Sequence, residues 1–474
     1  GNFNTITWTA VANAARYRVY KLSNGLFGYI GQASGTSFVD DNIAADMSST
    51  PPEANNPFAA SGDYPAAVSY FEQRRCFAGT INKPSSVWAT KSGTESNLTY
   101  RIPTRDDDAL QFRVASREAN SIQHLTPLSD LVALSGSAEW RIASVNADAL
   151  TPTSISVRAQ SYIGANYAQP LVVGNNLLFA ASRGGHMREL GFSRDAGGYV
   201  TGDLSLKAQH LFDNFDLVDM AYVKSPQPIV WAVSSTGRLL GFTYVPEQSV
   251  GAWHQHDTAA DGAFESVCAV PEGSEDALYC VVRRTINSAE VRYVERFASR
   301  TFQGIADAYF VDCGATYDGA ATQSITGLTW LEGQVVSILA DGAEHPQRTV
   351  TAGAVSLDWA ASVVHVGLPI TADAQTLPMA MAMQAFGQGR QKNVSRVWMR
   401  VYRSSGITAG PTFGRLVEFK QRQSEPYGTP PSLRTDEVQI DVTPTWGDGA
   451  QVCVRQSRPL PLTLVSMTIE AEVS

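Results

Sequence analysis

Charge is scarce in this chain. Only 17% of its 474 residues are Asp, Glu, Lys or Arg, and 45 acids against 36 bases leave a net charge of −9. Gripping nucleic acid through its phosphates requires clustered Lys and Arg, so that class of binder is excluded. A passage along which nucleic acid slides is still allowed, because an acidic wall repels phosphate and prevents sticking. Cysteine is scarcer still: Cys76, Cys268, Cys280, Cys313 and Cys453 are odd in number and scattered, mostly within apolar runs. Buried free thiols are the expected state, ahead of a disulfide framework or metal site, and this fits assembly in a reducing cytoplasm. Long apolar runs are missing. None approaches the roughly 18 residues that span a bilayer, and no signal-like segment opens the chain, so no membrane insertion is expected. An initiator Met is absent and Gly1 almost directly precedes a strand-like run, from which further residues upstream are expected.

What is present is strand after strand. The region around which the chain is organised is 253–297, WHQHDTAADGAFESVCAVPEGSEDALYCVVRRTINSAEVRYVERF. Two apolar runs, 264–270 and 277–282, flank the turn cluster PEGSED, and a third, alternating run at 291–297 follows the turn TINSA. This predicts a three-stranded antiparallel meander. Leu278, Cys280 and Val282 alternate with Tyr279 and Val281, so both faces of the middle strand are expected to be covered. A sheet covered on both faces suits a blade of a β-propeller, with a sandwich sheet as the alternative.

A chain of this length exceeds one ordinary core and should divide. Residues 1–50 alternate short strands with turns, and Trp8, Tyr17 and Val19 would supply a small core. The stretch 51–63, rich in Pro, Ser and Asn, reads as a linker. From 64 to 305, apolar strand runs recur in units of about 40 to 50 residues, the spacing of propeller blades. The units are AVSYFEQRRCFAGT with SSVWAT, LQFRVAS with DLVALSGSAEWRIASV, PLVVGNNLLFAAS with MRELGF, LVDMAYV with IVWAVSSTGRLLGFTYV, and the 253–297 meander. Low identity between units leaves the blade count open. Residues 306–377 read as a small β module, with Asp341-Gly342 as a hairpin turn, and 378–474 as a C-terminal β platform. In its first strand Val397, Met399 and Val401 share one face; Arg396, Trp398, Arg400 and Tyr402 share the other. The predicted class is all-β: a β-propeller plus a β-sandwich or barrel platform, with a further small module at the N-terminus.

Three resemblances follow from these residues. Trp8 and Tyr17, on consecutive strands, resemble the paired aromatics of a fibronectin type III module, incomplete here at its N-terminus. The 306–377 segment looks like the small β domain named after the first catalytic-cysteine half-domain of ubiquitin-activating enzymes, and no ubiquitin chemistry follows from that likeness. The third covers nearly everything from 64 onward. FEQRRCFAGTINKPSSVWAT (71–90), WHQHDT with FESVCAVPEG, RRTIN with VRYVERF, GLTWLEGQVVSILADG, KNVSRVWMRVYRSSG and QSRPLPLTLVSMTIEAEV, in that order, resemble the tail nozzle protein of short-tailed bacteriophages, also called tail tubular protein B or stabilisation protein.

The nozzle resemblance implies a virion structural protein of the tail, a homohexameric ring below the portal and the tail adaptor protein. Its channel would retain viral DNA and guide it during ejection without binding it specifically. Contacts to tail fibres or spikes are compatible with it. It implies no enzyme, no cofactor and no catalytic residues, and it leaves the channel lining unspecified. The fibronectin-like segment departs from the simpler members. The alternative function is a host-glycan-binding propeller or adhesin of the tail.

Candidate chemistry is thin. Ser193-Arg194-Asp195-Ala196-Gly197 approaches the Asp-box of sialidases, but Val200 stands at its aromatic position and no second copy exists, so a β-turn is the better reading. His254 and His256 share a strand face and, with Asp257, could offer ligands to a metal, but nothing local completes the shell. A hydrogen-bonded blade edge is therefore expected, and no metal. Phe386-Gly387-Gln388-Gly389-Arg390 reads as a loop and not a phosphate cradle. The Arg396, Trp398, Arg400, Tyr402 face mixes cations with aromatics. That mixture stacks on bases in single-strand binders, yet it also marks subunit interfaces, which the acidic total favours.

Overall fold

The computed structural model describes residues 3–115, 121–379, 389–422, 424–426 and 428–473. The chain folds as two units, Gly1–Met220 and Ala221–Ser474, and the division falls inside the 64–305 segment. Thirty-four strands and four short 3-10 turns make up the regular structure of the described residues.

The first unit opens with two small sheets, Asn4–Thr7 with Ser37–Asp40 and Tyr17–Ser23 with Leu26–Ala33. Asn24 and Gly25, both at positive φ, close the second hairpin with the twist that hairpin strands favour. The expected core is thin. Val19 is buried with Ile30, while Trp8 and Tyr17 are half-buried, their ring centroids 5.2 Å apart. Phe58, in the Pro- and Asn-rich stretch, packs edge-on against Phe77 and Trp88.

Three four-stranded antiparallel meanders follow. The first holds Ala67–Phe71, Arg74–Ala78, Ser86–Ala89 and Leu110–Arg113; the second Ile122–Pro127, Leu131–Ser135, Glu139–Ser144 and Ile155–Ser161; the third Leu171–Val173, Asn176–Ala180, Met187–Ser193 and Gly198–Asp203. LQFRVAS therefore closes the first sheet and does not open the second, because Phe112 and Gln111 pair with Val87 and Trp88. The period-two alternation of Leu131–Ser135 explains the stacking. Leu131 and Ala133 join Ala78, Val87 and Leu110 of the first sheet, while Val132 and Leu134 join Leu177, Phe179 and Leu190 of the third. All five residues of that strand are buried, so neighbouring sheets cover both of its faces, the packing of propeller blades. Each such Leu or Phe contributes about 1.5–3 kcal/mol by leaving water.

In the second unit Leu217–Val223, which crosses the division, opens a sheet completed by Ile229–Ser234, Leu239–Val245 and Val250–His256. Its neighbour, the expected meander, holds Ala263–Glu272, Glu275–Ile286 and Ala289–Arg296. Trp231, Val233 and Leu239 pack there against Phe264, Val267, Leu278, Cys280 and Val282. Only one face of this last meander is buried. Tyr279 and Val281 are half-exposed and Val294 is 75% exposed, contrary to the expectation that both faces are covered; on that side lie Arg283, Arg292 and Arg296, which pair with Glu265, Glu290 and Glu272 in water.

Beyond it, one sheet orders Asp312–Thr326, Ala354–Leu368, Val335–Ala340 and Ala343–Thr349. The expected strands near 355–359 and 363–366 are one 15-residue strand, its pairing interrupted by bulges. Asp341 and Gly342 form the predicted turn at positive φ, and the Asp341 carboxylate accepts the backbone N–H of Ser362 and Val363 at 3.1 and 2.8 Å. The C-terminal segment is a sandwich. The sheet Arg434–Asp441, Lys392–Ser404, Leu464–Val473 packs Val397, Met399 and Val401 against Ala409 and Val454 of the sheet Ala372–Gln375, Cys453–Gln456, Thr408–Gly410, Val417–Glu418, and against Ile407 and Val452 just before two of its strands. The fold is all-β: a β-propeller and a β-sandwich platform, preceded at the N-terminus by two small two-stranded sheets.

Candidate functional site

The outer face of the Lys392–Ser404 strand carries the four residues singled out from sequence. Alternation places Val397, Met399 and Val401 inward, so Arg396, Trp398, Arg400 and Tyr402 all point outward. The two flanking strands set their neighbours. Arg396 lies opposite Asp441 and Glu470, Trp398 opposite Gln439 and Thr468, and Arg400 opposite Glu437 and Ser466. The Arg396 guanidinium donates to Asp441 at 2.8 Å and to Glu470 at 3.3 Å, and stands 5.5 Å from the Trp398 ring. The hydrogen bond to Asp441, then the charge of Glu470, holds its pKa above the ordinary value. Arg400 makes no ion pair among the described residues and, like Tyr402, is exposed. The result is a sheet face with charges of both signs and two aromatic rings, able to meet another protein surface.

The histidines of WHQHDT sit at the end of Val250–His256. Two residues apart, His254 and His256 share a face, and their ring nitrogens Nδ1 and Nε2 approach to 2.8 Å. Trp231 packs on both rings, at 5.5 and 5.2 Å, and Phe297 lies 6.4 Å from His256. Burial, followed by the Arg300 guanidinium, lowers the pKa of His254 to about 4; burial, His254 and Arg300 together lower that of His256 to about 3. Both rings are neutral at pH 7. The Arg300 guanidinium beside the rings makes the place unfavourable for a metal ion, and no cluster of three or more His, Cys, Asp or Glu that could hold one exists among the described residues.

The remaining sequence candidates separate. Arg194–Gly197 is the turn joining Met187–Ser193 to Gly198–Asp203, as the β-turn reading expects. Of the Gly-x-Gly loop, residues 386–388 lie outside the described residues. Cys76, Cys280 and Cys453 are buried and Cys313 half-buried, whereas Cys268 is exposed, because its strand turns that face outward. Burial raises the Cys76 and Cys280 thiols to about 12. These two are inert at neutral pH.

No family model and no curated protein matches this sequence. Among solved structures, a luciferin-regenerating enzyme is similar at 11% identity and a TM-score of 0.28, over 64% of this chain and 90% of that one. Raptor from Chaetomium thermophilum is similar at 11% identity and a TM-score of 0.28, over 64% of this chain and 27% of that one. At these values the likeness carries no argument, and the fold rests on the strand pairing described above.

Sequence reading missed one cluster altogether. Arg284 is fully buried; its guanidinium donates to Glu295 through Nε and Nη2 at 2.7 Å each, to Asp312 at 2.9 Å and to the Ala259 carbonyl at 2.8 Å. Burial alone would lower its pKa, but the hydrogen-bonded Glu295 and the charge of Asp312 raise it on balance. Asp312 also accepts from Thr258 Oγ1 and Ala259 N, at 2.7 and 3.0 Å. The cluster thus ties the last meander to the strand that opens the next sheet. Alternation offered the signal: Leu278, Cys280, Val282, Arg284 and Ile286 share one parity, so Arg284 had to face inward.

Proposed function

We propose that this chain is a structural protein of a short-tailed bacteriophage tail, one subunit of the distal nozzle ring. The observation that carries the reading is the outward face of the Lys392–Ser404 sheet. Arg400 without an ion pair, exposed Tyr402 and carboxylates on both flanking strands provide complementary charge and aromatic area for a neighbouring copy. The resemblance of the sequence blocks from 64 onward to nozzle proteins supports this choice of assembly. Six copies would surround an axial channel, with the tail adaptor above and fibres or spikes beside. The net charge of −9 favours a wall that repels phosphate, so DNA slides through without sticking. Shape, charge and subunit contacts carry this role, and no step in it calls for a nucleophile, a cofactor or membrane insertion. No described helix is long and apolar enough to cross a membrane.

Electron microscopy of the assembled tail tests the reading. Six copies of this chain around a continuous channel are expected, with Arg400 and Tyr402 at a protein contact and carboxylates outnumbering bases on the lumen wall. Peripheral copies sharing no channel would overturn it, and a net positive wall would remove the sliding argument.

A further inference from the structure

A cleft of about 580 Å³ opens in the first unit between the edge strands of its first two blades, Ala67–Phe71 and Ile122–Pro127. Its size falls in the range of small-ligand sites. The floor is built by a close backbone approach. Gly79, at φ +73, passes so near Ile122 that a Cβ there would stand 2.0 Å from the Ile122 carbonyl oxygen. The Ile122 N–H donates to the Pro84 carbonyl at 3.0 Å, and Thr80 Oγ1 accepts the Lys83 N–H at 2.9 Å. The loop between the second and third strands is thereby fixed as one wall.

Among the described residues the lining contains no Asp, Glu, Lys or Arg. Its one imidazole, His124, is neutral at pH 7, since burial lowers its pKa by more than the 2.8 Å hydrogen bond between its Nε2 and the Asn166 carbonyl raises it. The polar groups that remain are hydroxyls and amides, from Thr80, Ser121, Gln123 and Gln169, of which the Gln123 amide nitrogen already donates to the Ala165 and Asn166 carbonyls. Gln169 is exposed and has no hydrogen-bond partner among the described residues. At the rim two large side chains stand in water, Tyr167 at 83% exposure and Ile81 at 84%. Together they offer apolar area at the mouth of the cleft.

We propose that this cleft binds a neutral saccharide. Hydroxyls and amides each donate and accept, as sugar hydroxyls do, and an exposed Tyr ring offers a flat apolar surface to a pyranose face with its phenol still in water. An anionic ligand would find no cation among the described lining residues and would lose hydration there without compensation. The site is independent of the nozzle role, so either reading stands without the other.

An array of neutral glucose, galactose and N-acetylglucosamine oligomers, printed beside uronate and sialyl oligomers and probed with the full chain, tests it. Retention on neutral members only is expected. Titration calorimetry with the best neutral oligomer should then show about tenfold weaker binding for Tyr167→Ala and a smaller loss for Gln169→Ala, with thermal melting unchanged because both side chains are exposed. Retention of no neutral oligomer, a preference for the anionic ones, or affinity unchanged in the Tyr167→Ala, Gln169→Ala double variant would each overturn the proposal.

Discussion

Two arginines in the second unit have the same partners in kind and opposite surroundings. Arg284 meets Glu295 and Asp312 with its side chain 0% exposed; Arg396 meets Asp441 and Glu470 with its side chain 42% exposed. Each guanidinium joins two carboxylates from different strands. Burial separates their consequences. In the dry site the three groups depend on each other, since removing one leaves uncompensated charge. On the wet face water substitutes for any missing partner, so the pairs add little to stability and stay available to a second protein. The same residue types thus hold the fold in one place and present a surface in the other.

The largest expected effect breaks the buried cluster. Arg284→Ala strands Glu295 and Asp312 without their cation and should lower the unfolding free energy by about 3–5 kcal/mol, read by urea denaturation. Arg284→Lys should recover less than half of the loss, because an ammonium cannot reproduce the two-point contact with Glu295 or reach Asp312 and the Ala259 carbonyl at the same time. Full recovery by Lys would show that charge alone matters there and would undo the distinction drawn from geometry.

How much of this contrast was legible beforehand depends on the range of the signal. Period-two alternation is local, so it placed Arg396, Trp398, Arg400 and Tyr402 on one outward face and carried the information that Arg284 faces inward. It also revealed the strands of Leu131–Ser135 and Glu275–Ile286. Polar interleaving hid Ile122–Pro127, where Gln123 and His124 interrupt the apolar pattern, and half-exposure hid Ile155–Ser161. For that reason LQFRVAS was placed in the wrong sheet. What lay beyond reach was every partner set by long-range closure. Asp312 comes 28 residues after Arg284, and the cleft joins segments near 66–84, 121–125 and 167–169, none of which carries a ligand-binding motif. Likewise the His254 and His256 pair was readable, but its neutrality comes from Trp231, Phe297 and Arg300.

Those histidines sharpen the comparison with a smaller effect. Arg284 stays charged in burial because carboxylates face it; His254 and His256, facing a cation, stay neutral. Their folded pKa values, about 4 and about 3, lie below the ordinary 6.5. As pH falls below 6.5 the unfolded chain takes up protons that the folded chain refuses, so their stabilising contribution is complete above 6.5 and declines toward pH 4. A loss of about 2 kcal/mol per pH unit, shared by the two rings, is expected between pH 6 and 4.5. Urea unfolding of the wild type and of His256→Asn across that range checks it: the variant should show the shallower pH dependence, and equal slopes would mean that the pair is charged or exposed when folded.

The smallest effect on stability belongs to the exposed face, and it separates fold from assembly. Arg396→Ala leaves Asp441 and Glu470 in water, where hydration replaces the guanidinium, so the melting temperature of the isolated chain should stay unchanged within error. Arg400→Glu adds an acid beside Glu437 without disturbing any pair that Arg400 makes, and it too should melt normally. If this face meets a neighbouring copy, the reversed charge opposes that contact, and assembled tails should carry fewer copies of the Arg400→Glu chain, counted by electron microscopy after mixed expression with the wild type. A chain that melts normally and assembles in full would free this face from the interface. One that melts early would make Arg400 a second Arg284, and the division between a buried cluster that holds the fold and an exposed one that meets a partner would fail on its exposed side.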